Sequence, residues 1–335
     1  MLLSIVIVNY NTFQLTCNCI RSIKATTTVT HEIILVDNNS KECPARKFAE
    51  VFPKIKLVAL KENVGFGRAN NLGVAEASGK YVLLLNSDTV VNEKTLDETI
   101  GYLEANPSID ILGCKVLYAN HTFQSTVVKD NRECEFLSGI KYLIKRNTLF
   151  VEARLFYINQ RNQRKNHYKI FGDSNPSEQK LPSSPPPFEI NYYEGKRIGS
   201  LVGVFLMLKR SIYIASKGFD PDFFMYYEEI EWFVNRLRGY NIVYYPNASI
   251  LHYNRGSDLY NKMDLQFFVS QYLFWYKMGY PQFFCYFLYI LFEIPSRVLV
   301  RLLFRKKKPI QEIPELVKAI PYFFKVLRYP NRYGG

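Results

Sequence analysis

Tyr81-Val82-Leu83-Leu84-Leu85-Asn86-Ser87-Asp88 sets an apolar run directly against three polar residues. The run does not alternate, and a short continuous apolar stretch is the mark of a strand buried on both faces. The same grammar appears three times upstream. Residues 3–9 are a β-branched apolar run that meets Asn9-Tyr10-Asn11. Glu32-Ile33-Ile34-Leu35-Val36 stops at Asp37-Asn38-Asn39-Ser40, and Ile55–Leu60 stops near Asn63. The intervening segments 12–25, 42–51, 65–77 and 93–106 are long enough for crossover helices. Repeated strand–helix alternation predicts an α/β fold with a mixed, mostly parallel sheet. Asn9, Asp37, Asn63 and Asp88 then fall at the C-terminal ends of successive strands, the edge where open α/β sheets bind ligands.

Further along, residues 120–198 break the rhythm with a basic polar stretch, Asn159–Lys169, and a turn-rich run through Pro185-Pro186-Pro187. They read as an insertion in a domain covering 1–255. Regular patterning resumes with a strand over Leu201–Leu208. A helix is expected over Tyr227–Arg238, acidic at its start, basic at its end and stopped by Gly239. Strands follow at Asn241–Tyr245 and Ser249–His252.

From 256 to 335 the chain carries 12 Lys/Arg against 5 Asp/Glu and recurrent aromatic clusters. The apolar run Phe283–Phe292 is interrupted by Glu293, Arg297 and Arg301, short of the roughly 20 residues a bilayer span needs. Arg305-Lys306-Lys307-Lys308 follows. Two readings stand: aromatic amphipathic helices on an anionic membrane surface, or a helical subdomain whose basic face is simply solvated.

In the 335 residues, 48% hydrophobic and 22% charged, the composition is that of a folded globular chain; 25 Tyr, 25 Phe and a net charge of +13 are the unusual features. Such a charge favours anionic partners. Nucleic acid is not expected, because the aromatics lie in apolar runs and are not interleaved with basic residues. The six cysteines form no Cys-x-x-Cys pair, which fits reduced, buried thiols in a cytosolic compartment. The N-terminus reads as a strand and not a signal peptide, so the sequons at Asn38, Asn120 and Asn247 count as chance matches.

Four features point to chemistry on a phosphorylated ligand. A sugar–diphosphate linkage has a multiply charged leaving group, so its cleavage calls for a cation held by oxygen ligands, and the acceptor hydroxyl needs a base. Asn86-Ser87-Asp88 can supply a metal ligand at the strand end. Glu228-Glu229-Ile230-Glu231, beside the aromatics Phe223–Tyr227, puts three carboxylates within four residues. Burying them is costly without a purpose, and like-charge repulsion suits a base. His252 after a strand is a candidate third group. Asn63-Val64-Gly65-Phe66-Gly67-Arg68 opens a helix whose amides, with Arg68, can meet phosphate. The stretch is not a dinucleotide fingerprint, since position 70 is Asn. A nicotinamide oxidoreductase would need glycines right after the first strand, where Asn9-Tyr10-Asn11-Thr12 stands.

Taken together, Ser4–Asn11, Val36–Ser40, Asn63–Gly73, Leu85–Thr89, Gly218–Asp220 with Phe223–Trp232, and Pro246–His252 resemble, in order and spacing, the family 2 inverting glycosyltransferases, most closely their rhamnosyltransferase-like bacterial branch. The resemblance implies a GT-A type nucleotide-diphospho-sugar transferase fold with a C-terminal helical region. It also implies donor contacts at Val8, Asn9, Tyr10, Asp37, Asn39, Asn63, Gly65, Arg68, Asn71, Asn86, Ser87 and Asp88, with Asp37 reading the donor base. Asp88 and His252 would hold Mg²⁺ or Mn²⁺. Glu229 would be the general base with Glu228 beside it, and Gly203 and Trp232 would line the acceptor side. The expected partners are a nucleotide-diphospho-sugar donor and a saccharide or lipid-linked acceptor, at the inner face of the cell membrane, with homo-oligomers allowed. Two positions depart from the pattern: Asn86 replaces the first Asp of the metal motif, and Glu229 stands where Asp is usual. A non-catalytic surface-binding protein that kept this fold is the alternative.

Overall fold

The structure, a computed structural model, describes residues 1–128, 147, 200–253, 265–304 and 313–328. The predicted strands form one half of the sheet: β1 (Leu3–Asn9), β2 (His31–Asp37), β3 (Lys56–Ala59) and β4 (Tyr81–Asn86). β1 pairs in parallel with both β2 and β4, and β2 with β3. The predicted crossovers are α1 (Phe13–Thr26), α2 (Arg46–Val51), α3 (Phe66–Ala75) and α4 (Thr95–Ala105). Past β4 come the short β5 (Thr89–Val91), then β6 (Ile111–Tyr118), β7 (Phe123–Gln124), β8 (Val127–Val128), β9 (Ser200–Leu201), β10 (Phe205–Lys209) and β11 (Ile242–His252).

The main sheet runs β3-β2-β1-β4-β10-β6-β11-β5, with β7 on β6. β10 is antiparallel to β4 and β6, β11 is parallel to β6, and β5 is antiparallel to β11. The sheet is therefore mixed and mostly parallel at its core, as expected. Strands β1 and β4 are apolar apart from Ser4 and their terminal asparagines because both faces are covered: α1, α2 and α4 close one side, and α3 with Tyr213, Phe219 and Trp232 the other.

Three details differ from the sequence reading. The expected strand at 201–208 is split, with Gly203 in a turn between β9 and β10. Residues 123–128, assigned to the insertion, belong to the sheets: β7 joins β6 and β8 pairs with β9. The expected helix over Tyr227–Arg238 is one short helix, α6 (Glu228–Glu231), closed by a π-type turn over Trp232–Arg236 in which Leu237 N–H reaches the Trp232 carbonyl at 2.9 Å. The short helix before it, α5, is Arg210–Ala215.

Beyond the sheet lie α7 (Leu265–Met278), α8 (Tyr280–Phe304) and α9 (Ile313–Arg328). They share an aromatic core with Phe223, Tyr227 and Ile230, so they pack directly onto the loop that leads into α6. α8 also corrects the expectation of an interrupted run. It continues through Pro295, with Glu293 and Arg297 paired at 3.0 Å on its buried side. Its segment Tyr280–Leu303 is long and apolar enough, by length and composition alone, to cross a membrane. The bulk of the 120–198 insertion, Asn254–Gly256, Cys134 and Arg305–Lys308 lie outside the described residues.

Candidate active site

The ends of β1, β2 and β4 and the loop after β3 meet along one edge and are tied by asparagines. Asn9 is buried, and its amide donates to Asp37 Oδ1 at 2.7 Å and Ser40 Oγ at 2.9 Å while accepting from Thr12 and Thr16. Asn38, which sequence reading passed over, donates to Asn63 Oδ1 at 2.7 Å and accepts from Val64 N–H, binding the β2 end to the loop that opens α3. Such a buried side chain is no glycan acceptor. Asp37 also accepts from Ser40 N–H at 3.2 Å. Asn39 sits at φ 61 and accepts from Lys41, while Tyr10 is 45% exposed at the rim. Ser87 Oγ lies 3.1 Å from Thr12 Oγ1. The Asn86 side-chain oxygen is buried with no hydrogen-bond partner.

At the far end of this edge, β5 and β11 pair in antiparallel register, His252 opposite Thr89, which brings His252 to Asp88. His252 Nε2 lies 3.1 Å from Asp88 Oδ1, and its Nδ1 faces Gln124 Oε1 at 2.8 Å. With the Gln124 amide oxygen toward it, Nδ1 would carry the proton, which would leave the Nε2 lone pair to join Asp88 Oδ1 around a bound cation. Two lone-pair donors aimed at one point suit a divalent cation, with Gln124 fixing the tautomer from behind. Gln124 had no signal in the sequence, because only the β6–β7 hairpin carries it there. Among the described residues no three His, Cys, Asp or Glu side chains converge on one point. Asp88 and His252 thus offer two ligands, which leaves the rest of a coordination shell to substrate oxygens and water.

The carboxylate pair arrives from the other side. Tyr226 and Tyr227 both adopt left-handed backbone, φ 70 and 69, immediately before Glu228. Such conformations are strained for aromatic residues and persist only where the surroundings over-determine them. Here Ser270 Oγ donates to the Met225 carbonyl at 2.6 Å, Gln271 donates to the Tyr227 hydroxyl, and Phe267 and Phe274 pack on the Tyr227 ring. Glu229 then accepts from the Gly203 N–H, and a Cβ at position 203 would sit 3.7 Å from Glu229 Oε1. Gly203 precedes Val204, whose carbonyl accepts from Asn86 N–H at 3.1 Å. Glu229 and Asp88 are therefore joined through two adjacent strands of one sheet edge. Burial raises the Glu229 carboxyl above its ordinary value, and burial with the Glu229 charge raises Glu228 well above its own. Glu228 Oε2 has no hydrogen-bond partner.

Several expected ligand contacts are reassigned. Trp232 does not face an acceptor: it is fully buried, donates to Ser216 Oγ at 3.0 Å and packs on Tyr213, Phe219 and Phe233. Asn71 donates to the Phe219 carbonyl and accepts from the Tyr213 hydroxyl and Phe219 N–H, so it staples the 218–229 loop. The start of α3 is closed and does not cradle phosphate. Phe66 N–H donates to the Phe224 carbonyl at 2.8 Å, and a Cβ on Gly65 (φ +87) would lie 2.0 Å from that oxygen. Arg68 Nε donates to the Pro221 carbonyl. These residues hold the two halves of the site together, a role invisible in sequence because the partners lie some 150 positions away.

Residues 4–162 match the family model "Glycosyl transferase family 2". Among curated proteins, the succinoglycan biosynthesis protein ExoO of Rhizobium meliloti is 34% identical over 101 residues, 30% of this chain and 29% of its own length. An uncharacterized glycosyltransferase of Haemophilus influenzae is 29% identical over 115 residues, 33% of this chain and 36% of its own. The minor teichoic acid biosynthesis protein GgaB of Bacillus subtilis is 28% identical over 112 residues, 30% of this chain but 12% of its own. The chain thus matches well under half the length of these relatives. Among solved structures, S. aureus TarS 1-349 in complex with UDP-GlcNAc aligns at TM-score 0.52 and 13% identity, covering 99% of this chain and 83% of that one. The fold is of the GT-A glycosyltransferase type.

Proposed function

We infer, from a family 2 glycosyltransferase domain built on a GT-A type sheet, that this protein transfers a sugar from a nucleotide-diphosphate donor to an acceptor hydroxyl with inversion. The observation that supports this reading is the run of contacts from Glu229 to Gly203 and, through the next residue Val204, to Asn86, two positions before Asp88. A single displacement requires a phosphate-side cation site and a base on opposite sides of the anomeric carbon, the roles this reading gives to Asp88 with His252 and to Glu229.

Asp88 and His252 would hold Mg²⁺ or Mn²⁺, the nitrogen ligand favouring Mn²⁺. Bound there, such an ion would neutralise charge on the leaving diphosphate. Asp37 contributes recognition of the donor base and Asn86 Oδ1 an open acceptor for a donor hydroxyl. Glu229, held by the Gly203 N–H, takes the acceptor proton as the hydroxyl attacks the anomeric carbon from the face opposite the diphosphate. Burial and the neighbouring Glu229 charge push the Glu228 carboxyl well above its ordinary value, which favours its neutral form and limits repulsion within the pair. The transition state is oxocarbenium-like. The resemblance favours rhamnose as the sugar, and relatives named for succinoglycan and teichoic acid biosynthesis favour a saccharide or lipid-linked saccharide acceptor made at the cytoplasmic face of the membrane.

Thermal shift with a panel of nucleotide sugars and Mn²⁺ identifies the donor, since a true ligand raises Tm by mass action. With that donor, Glu229→Gln is expected to lower transfer by about 10²–10⁴-fold while the donor-induced shift persists. Unchanged turnover removes Glu229 from the role, and full activity in chelator removes the metal.

A further inference from the structure

α8 has its polarity inverted relative to a helix on a soluble surface. Its charged and polar side chains face the protein: Glu293 is 1% exposed, Ser296 3% and Arg297 7%. Glu293 and Arg297 pair there, and Asn147 donates to Glu293 Oε2 at 2.7 Å and to Ser296 Oγ at 3.1 Å. The opposite face is exposed and carries Phe284, Leu288, Leu291, Phe292, Leu299 and Leu302. With Tyr280, Pro281, Pro295, Val298 and Leu303 these are all the exposed positions between 280 and 303, and none is charged. Exposed apolar patches of this extent mark an interaction surface, and ion pairs turned inward from an apolar helix are the arrangement found in lipid.

α9 lies against the same core and continues the surface with Val317, Phe324 and Leu327 exposed. Lys318, Lys325 and Arg328 stand beside them, also exposed. Apolar side chains in a row flanked by long cationic ones suit the boundary between acyl chains and anionic headgroups, where the stems bury and the charges reach outward.

We propose that the exposed faces of α8 and α9 form a monotopic membrane-docking surface that lies in the plane of an anionic bilayer. α8 does not cross it, because its other face is packed along its length by Phe283, Tyr286, Ile290 and Val300 within the protein core. α7 separates this surface from the Glu228–Glu229 loop by one helix layer, roughly 10 Å. The surface would bring the cleft within reach of an acceptor carried on lipid. The proposal is independent of the transferase reading, since docking is read without any sugar.

The full chain is mixed with phosphatidylcholine vesicles, with and without about one-third phosphatidylglycerol, and floated on a density gradient. Wild type is expected to float with the anionic vesicles, binding them at least tenfold more strongly than neutral ones and less so in high salt. Leu288→Glu with Leu302→Glu should cut vesicle binding at least tenfold at unchanged Tm. If that pair melts early, Leu302→Glu alone, at a position 70% exposed, carries the test. Lys318→Glu with Lys325→Glu should remove the preference for anionic lipid. Failure of wild type to float on either vesicle overturns the proposal, as does flotation unaffected by the glutamates. A dimer that the glutamates split, without vesicle binding, assigns the face to a second copy of the chain instead. Retention in the bilayer after alkaline extraction overturns the in-plane placement.

Discussion

Glu228 and Glu229 are adjacent, yet their surroundings differ: Glu228 is buried and Glu229 half-buried. Glu229 receives a backbone N–H from Gly203; Glu228 packs against α3 at Gly67 and leaves Oε2 unpaired. A carboxyl that keeps its proton more tightly in the folded state adds stability that is fully present below its ordinary value of 4.5 and is lost as pH rises through its raised folded value. Glu228→Gln removes that dependence. Urea midpoints measured from pH 4.5 to 8 should therefore show wild type losing ground to Glu228→Gln as pH rises. Parallel profiles would mean that Glu228 is not the proton-holding group. The carboxylate cluster was legible in the sequence; which member is pushed further from its ordinary value was not, because that depends on burial and on which backbone amide comes within reach.

At the scale of elements, the 218–229 loop is held from both sides. Asn71 and Arg68 on α3 bind it below, and α7 binds it above through Ser270, Gln271 and Lys277. Lys277 Nζ lies 2.9 Å from Asp220 Oδ2 and 2.6 Å from Asp222 Oδ2, and Arg236 reaches Asp220 at 2.7 Å. Burial opposes the Asp220 charge, but the Asp222 N–H with the Lys277 and Arg236 cations outweigh it and hold the carboxyl below its ordinary value. That stabilisation is present above pH 3.8 and lost as pH falls further. Lys277→Met takes the lysine cation from both Asp220 and Asp222 and leaves Asp220 with Arg236. A loss of about 1–3 kcal/mol is expected for breaking a half-buried network, with transfer rate falling alongside Tm; a Tm equal to wild type would show that α7 does not anchor the loop. Strand and crossover positions were readable because burial on both faces leaves an unbroken apolar run. The split strand around Gly203 and the π-type turn after Glu231 were not, since each is imposed by a partner distant in sequence.

For the molecule as a whole, the C-terminal helices are part of the site and not an appendage. Phe223, Tyr227 and Ile230 belong to the same aromatic core as Tyr272, Phe283 and Phe323. Truncation after residue 253 should therefore expose that core and release the strained Tyr226–Tyr227 turn, giving a chain that binds a hydrophobic dye and has lost transfer activity; a soluble, dye-silent fragment with wild-type turnover would separate the helices from the site.

By itself the sequence determined the α/β alternation, the polar strand ends and the Asp88, His252 and Glu229 candidates, because each depends on local pattern: apolar runs make strands, and strands of one direction put their ends on one edge. Only the tertiary structure decided that Trp232 and Asn71 serve packing, that Gln124 backs His252, and that α8 turns its charges inward. Those outcomes depend on which distant side chains occupy the remaining space and hydrogen-bond capacity around each group, which no stretch of sequence contains.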